Sequence, residues 1–337
     1  MIYSLSSELT KSLSAGMAKI QYNHVMPHTR LRGVYAAALT PLRSDGSIDL
    51  EGLPLLLDFL ARRGCHGALL LGTTGEGPSF APAERLQILR TALEVRQAHP
   101  QMRLLAGTGT PSLQETIDLT RFAFDLGYDG VVVLPPYYFR KASPEGLFAW
   151  FDRVLRQAVP AGGTLLYYHF PAITGMDLPL ELLQRLLEVH PRRFAGLKDS
   201  SGDASFSRTL GERFGSDLFV LNGNDRLFSL AMQQNASGCI TAMANLLSPL
   251  LRQAWDALLS SAKADEQIQV RLSAARAVLD RYPPMPPLLK ALLPRLHSFP
   301  AWSVRPPLMP LAAETAAAAL VEWLEITAKD HKETPHS

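Results

Sequence analysis

Phe194-Ala-Gly-Leu-Lys-Asp-Ser-Ser-Gly202 drives a short apolar run into a lysine and then into polar and glycine residues. A lysine at the end of a buried strand has two readings. It snorkels out, with its stem on apolar surface and its ammonium in water. Or it stays in, where desolvation lowers its pKa and makes the amine nucleophilic toward ketones. The nine residues leave both open, so the rest of the chain must decide.

Working outward, short apolar runs recur along the chain, each followed by a stretch with helical spacing. The runs are mostly continuous rather than alternating, which is the pattern of parallel strands buried on both faces. The expected strands are residues 34–39, 68–71, 103–106, 130–134, 164–168, 195–197, 218–221 and 239–241. Between them, sets such as Leu53, Leu56, Leu57 and Leu60, or Leu119, Phe122, Ala123 and Leu126, mark one face of a helix. Eight strand-helix units predict an α/β fold, a (β/α)8 TIM barrel, rather than a doubly wound sheet with its five or six strands. The barrel is expected over residues 33–260, with its eighth helix starting near Leu246. Residues 261–337 read as a C-terminal helical appendix, broken at Pro283-Pro284, Pro286-Pro287 and Pro306-Pro307 and closed by an amphipathic run from Ala312 to Ile326. Residues 1–32 carry no apolar core of the secretory kind and read as a loosely ordered N-terminal extension, with a transit peptide as the alternative.

The totals narrow the class of partner. The chain has 337 residues, 47% of them hydrophobic, and 33 basic against 31 acidic side chains leave a net charge of +2. That balance gives no field to select nucleic acid or an anionic membrane. No apolar run reaches the roughly 20 residues of a membrane span. Cys65 and Cys239 are far apart and outside any CxxC pattern, so they read as small buried residues in a reducing, cytoplasmic compartment. Neither a disulfide framework nor a metal site is expected.

In a barrel of this kind chemistry gathers at the C-terminal ends of the strands. Strand two runs into Gly72-Thr-Thr-Gly-Glu-Gly77, a turn whose backbone amides and hydroxyls, from Thr73 and Thr74, suit a small carboxylate. A purely conformational role for these glycines is the alternative. The turn lacks the Gly-Lys-Ser/Thr of a nucleotide loop. Strand four runs into Pro135-Pro-Tyr-Tyr138, strand five into Tyr168-His-Phe-Pro171, strand six into Lys198-Asp199, and strand seven into Asn222-Gly223-Asn-Asp225. Tyr168, on the stave beside Lys198, is placed to pass protons to a group bound there, although tyrosines at strand ends also serve simply as packing. His169 follows on the opposite face, where a structural role is expected.

With Thr73-Thr74, Tyr138, Tyr168-x-x-Pro171-x-x-Thr174-Gly175 and Gly196-Leu-Lys198-Asp199 in this order, the chain resembles the dihydrodipicolinate synthase and N-acetylneuraminate lyase family from about Gly33 to Leu250. The resemblance implies a class I, pyruvate-dependent aldolase that needs no cofactor beyond a covalent imine on Lys198. Tyr168 matches the family's proton-shuttling tyrosine. Thr73 and Thr74 match the positions that bind the pyruvate carboxylate and relay protons, and Tyr138 matches a tyrosine contributed across a dimer interface. Ile240 falls where the family lines the lysine pocket with an apolar side chain. A homotetramer, built as a dimer of dimers, is implied.

The departures point to the substrate. Where the synthase of the family carries an arginine for the carboxylate of aspartate semialdehyde, this chain has Ile173, and a buried anion without a donor costs several kcal/mol. Where sialic acid lyases offer Asp-Glu after strand seven, this chain has Asp225-Arg226. Gly223, Asp225 and Arg226 are therefore expected around the aldehyde portion, with Asp225 on a hydroxyl and Arg226 on a distal carboxylate or phosphate; the alternative is an exposed arginine in a helical first turn. The segment Tyr168-His-Phe-Pro-Ala-Ile-Thr-Gly175 looks closer to aldolases of 2-keto-3-deoxy sugar acids and 4-hydroxy-2-oxoglutarate. The expected reaction is reversible cleavage of such a 2-keto acid to pyruvate and an aldehyde. Condensation of pyruvate with aspartate semialdehyde is the runner-up, a dehydratase using the same imine is another route, and a non-catalytic keto-acid-binding paralogue is the reading from outside enzymology.

Overall fold

The computed structural model of the chain describes residues 31–261 and 265–327. Eight parallel strands close into a barrel in sequence order: β1 (Gly33–Ala37), β2 (Gly67–Leu70), β3 (Arg103–Gly107), β4 (Gly130–Val133), β5 (Leu165–His169), β6 (Phe194–Asp199), β7 (Phe219–Asn222) and β8 (Gly238–Thr241). The main helices that follow them are α1 (Gly52–Arg62), α2 (Pro82–Ala92), α3 (Leu113–Asp125), α4 (Pro144–Ala158), α5 (Leu180–Val189), α6 (Ala204–Phe214), α7 (Phe228–Gln233) and α8 (Ala244–Ser261). The continuous apolar runs are explained by the two sides each strand buries. Tyr35, Leu69, Leu105, Val132, Leu166 and Ile240 fill the barrel interior. Their neighbours, such as Val34, Ala68, Leu104 and Val131, pack outward with helix residues such as Leu53, Leu56, Leu57 and Leu60.

Strand six departs from simple alternation. Leu165 pairs with Phe194 but Leu166 pairs with Gly196, so Ala195 is an extra residue in the ladder. Ala195 faces the interior, Leu197 packs outward, and Lys198 turns inward again. Without the bulge, strict alternation from Ala195 would send Lys198 out among the helices. Gly196 is what the bulge requires, since a Cβ there would lie 2.1 Å from the Phe219 carbonyl oxygen. The strand was expected to end at Leu197; it continues through Asp199, because Lys198 and Asp199 pair with Leu221 and Asn222 of β7.

Three further helices follow: α9 (Glu266–Arg281) and α10 (Met285–His297) pack beside α8, and α11 (Ala313–Thr327) packs on α9 and α10. Pro286-Pro287 does not interrupt a helix as expected: it lies in the first turn of α10, where the missing N–H groups have no intrahelical partner to lose. The expected extension over residues 1–32 lies outside the described residues except for Leu31 and Arg32. Those two are in place, with Leu31 2% exposed in the interior cluster and the Arg32 carbonyl accepting from Arg103. No helix among the described residues is long and apolar enough to cross a membrane.

Candidate active site

The bulge brings Lys198 level with Tyr168, its register partner on β5. The Lys198 Nζ lies 4.2 Å from the centroid of the Tyr168 ring, and both residues are 4% exposed. Among the described residues Lys198 has no carboxylate in ion-pair range and no hydrogen bond. The Tyr168 hydroxyl lies 3.4 Å from Thr73 Oγ1, at the edge of hydrogen-bond distance. Ile240, fully buried, belongs to the same interior cluster as Tyr168 and Leu221. Lysine, phenol and hydroxyl thus stand in line across the mouth of the barrel, over an apolar floor.

Thr73 and Thr74 ride on a turn that is held from several sides. Leu71 and Glu76, neither a glycine, adopt left-handed φ values of 58° and 55°. A Cβ on Gly77 would lie 2.1 Å from the Leu71 carbonyl oxygen, so the chain closes on itself only with glycine there. Thr40, just past β1, donates its hydroxyl to the Gly75 carbonyl at 2.7 Å. The Glu76 carboxylate receives Lys290 Nζ at 2.5 Å and the Arg305 N–H at 3.2 Å, both from the C-terminal region. Burial pulls the Lys290 ammonium below its ordinary pKa, opposed by the charge of Glu76. A cavity of about 30 Å³, room for one or two waters, is lined by residues including Thr73, Tyr168, Gly107 and Arg85. Arg85 is 7% exposed, donates Nε to the Phe80 carbonyl, and is pulled below its usual pKa by burial. Larger clefts lie outside the barrel, one of about 510 Å³ between α8, α10 and α11, and hold none of the residues picked from sequence.

Other expected site residues do not converge on Lys198 within one chain. Tyr138 is 75% exposed and stacks edge-on with Phe139, itself 70% exposed. Asp225 was expected to meet a substrate hydroxyl, but it is fully buried and its Oδ2 faces Arg276 of α9 at 3.3 Å. Burial raises its pKa, against the opposing pull of Arg276 and the Thr241 side chain. Arg226 was expected to face the far end of the substrate; its Nη2 instead pairs with Asp280 of α9 at 3.0 Å, and Asp280 also holds Arg276. The acidic and basic residues of α9 thus absorb both charges. Gly223 gives its N–H to the Asp199 carbonyl at 2.7 Å. His169 has the structural role expected, with Nδ1 2.8 Å from Asp199 Oδ1 on the face away from Tyr168. Glu76, Lys290, Thr40 and Arg85 were not foreseen, and only the Gly-Glu-Gly pattern around Glu76 gave any signal.

The sequence pattern of the Dihydrodipicolinate synthetase family matches residues 30–325. An uncharacterized DapA-like lyase of Chloroflexus aurantiacus is 40% identical over 299 residues, 88% of this chain and 97% of the relative. A 4-hydroxy-tetrahydrodipicolinate synthase of Herminiimonas arsenicoxydans is 30% identical over 294 residues, 84% of this chain and 94% of the relative. Among solved structures, YagE of E. coli K12, a prophage protein of the dihydrodipicolinic acid synthase family in complex with pyruvate, superposes with a TM-score of 0.82 at 25% identity, covering 88% of this chain and 99% of that one. The match spans barrel and C-terminal helices alike, and this chain, a lyase of the aldolase type, belongs to the dihydrodipicolinate synthetase family.

Proposed function

We propose that the chain cleaves a 2-keto-3-deoxy or 4-hydroxy-2-keto acid reversibly to pyruvate and an aldehyde, through an imine on Lys198. The observation that carries this is a buried lysine without a carboxylate partner, held over the Tyr168 ring with the Thr73 hydroxyl in line. The pyruvate bound to the solved relative supports a keto acid as the ligand. The Lys198 amine attacks the keto carbon, and the carbinolamine loses water once its hydroxyl is protonated. With the C4 hydroxyl deprotonated, the C3–C4 bond breaks; its electrons enter the iminium to give an enamine, and the aldehyde departs. Protonation at C3 and hydrolysis then release pyruvate and free the amine. Tyr168 moves the protons, exchanging them with Thr73, and Tyr138 completes the relay from a second copy of the chain in a homotetramer built as a dimer of dimers. Thr73 and Thr74 hold the C1 carboxylate, while the Gly223 carbonyl meets a hydroxyl of the aldehyde portion. Two buried free cysteines fit a cytoplasmic setting.

A second reading, condensation of pyruvate with aspartate semialdehyde, has one observation in its favour besides the synthase relatives. Ile173, half-exposed, offers no cation, but Arg140 lies across Gly175, where a Cβ would come within 3.3 Å of its Nη1.

One experiment tests both. Borohydride reduction with pyruvate, followed by mass spectrometry, should place a lactyl adduct on Lys198. A panel of 2-keto-3-deoxy acids, 4-hydroxy-2-oxoglutarate and, in the synthetic direction, aspartate semialdehyde should then show turnover of the first two classes. Absence of an adduct on folded protein sinks the imine, and turnover of the semialdehyde alone favours the second reading.

A further inference from the structure

We infer that Lys290, on α10, is a positioning residue for the carboxylate of the keto acid; this rests on the imine reading above. The turn that carries Thr73 and Thr74 is poorly suited to hold its own shape. It has two non-glycine residues in the left-handed region within six positions, Leu71 and Glu76, a conformation that persists only where the surroundings over-determine it.

Those surroundings are largely the C-terminal region. Lys290 Nζ joins Glu76 Oε1 at 2.5 Å and the Ser303 carbonyl at 2.6 Å. Two residues beyond Ser303, the Arg305 N–H reaches the other Glu76 oxygen. The Arg305 guanidinium continues to the Ser79 carbonyl and to both oxygens of Glu84, which fastens the segment leaving the turn as well. The side chains of Lys290 and Glu76 are 1% and 0% exposed, so this ion pair is closed off from bulk solvent. Pieces of chain more than 200 residues apart in sequence are thereby held at one point, one residue past Gly75 and two past Thr74.

Removing the Lys290 charge leaves a buried carboxylate with only a backbone N–H. The group must take up a proton or swing toward water, and either change moves the backbone that carries Thr74 and Thr73. Thr73 Oγ1 is already at the limit of its contact with Tyr168, so a small shift breaks the line. Lys198 itself, on the far side of the barrel in β6, has no contact with Lys290 and should keep its reactivity toward a ketone.

That asymmetry supplies the test. Full-length wild type, Lys290→Met, Lys290→Arg and Glu76→Gln are each incubated with pyruvate or with acetone, a ketone lacking the carboxylate. Adducts on Lys198 are trapped with cyanoborohydride and quantified by mass spectrometry. Lys290→Met should lower the pyruvate-to-acetone ratio tenfold or more with acetone trapping unchanged, and Lys290→Arg, which keeps the charge, should restore it to within about threefold of wild type. Glu76→Gln, a milder break because its amide oxygen still accepts from Lys290, should lower the ratio by about threefold to tenfold. An unchanged ratio in Lys290→Met, or in Glu76→Gln where the first variant does not fold, overturns the inference. Equal loss with both ketones does so too, because it marks a role in folding alone. Wild type that traps neither ketone overturns the imine, and this inference with it, so the two failures are told apart.

Discussion

Lys198 and Lys290 are buried to the same degree, at 4% and 3% exposure, yet they face opposite surroundings. Lys290 touches a carboxylate and a carbonyl, in a pocket that shelters its charge. Lys198 has the face of a phenol ring and, among the described residues, no acid in ion-pair range. The fold therefore pairs one with an acid and leaves the other against an aromatic face. A buried lysine alone says little; what it lacks as a partner says more.

The largest test of that contrast is to replace each lysine by methionine. Lys198→Met should abolish the borohydride adduct and lower turnover by at least about 10⁴-fold, while the urea midpoint stays within error of wild type or rises, since a buried polar group without an acid partner is removed. A midpoint that falls sharply would show Lys198 to be a structural ion after all. Lys290→Met should do the reverse to stability. Breaking a buried pair from one side costs about 3–5 kcal/mol, and the double variant Lys290→Met with Glu76→Met should recover most of it, read from the same urea curves. If single and double variants are equally unstable, the pairing is not what holds the turn.

A smaller effect comes from a third base, His66, which meets burial by staying neutral. Its Nδ1 accepts the Val34 N–H at 3.0 Å, which an imidazolium could not do, and burial with Arg252 and Arg103 nearby pulls its pKa from 6.5 to about 4. The unfolded chain binds this proton near pH 6.5 and the folded chain only near pH 4. Stability from His66 is therefore complete above pH 6.5 and lost as the pH falls toward 4. Urea midpoints between those limits should slope less in His66→Gln, which retains an acceptor that does not titrate; an unaltered slope would put the loss elsewhere.

Much of the barrel was legible because parallel strands buried on both sides are written as continuous apolar runs, and the runs around Val34, Leu69, Val132 and Leu221 carry their own boundaries to within a residue or two. The proximity of Lys198, Tyr168 and Thr73 was legible because each is a polar residue standing where an apolar strand run stops. The direction of Lys198 was not, since one extra residue in a ladder has no signature beyond a glycine. Nor was the fate of Asp225: a strand end shows where a carboxylate starts, while Arg276, its partner, comes 51 residues later on α9. A still longer separation in sequence hid Lys290 from Glu76.

The bulge at Ala195 and Gly196 has a consequence for how such a protein can change. Below it, β6 answers to one parity of inward and outward residues; above it, to the other. Substitutions that tune the packing of Phe194 are therefore uncoupled from the direction of the amine three residues beyond Ala195. Losing that single residue would only restore plain alternation with Lys198 still facing in, whereas a slip that paired Ala195 with Leu166 would leave the lysine in the sequence and aimed at the helices. An inert relative of this chain is one slip of register away, and a comparison of residue identities at the lysine would not reveal it.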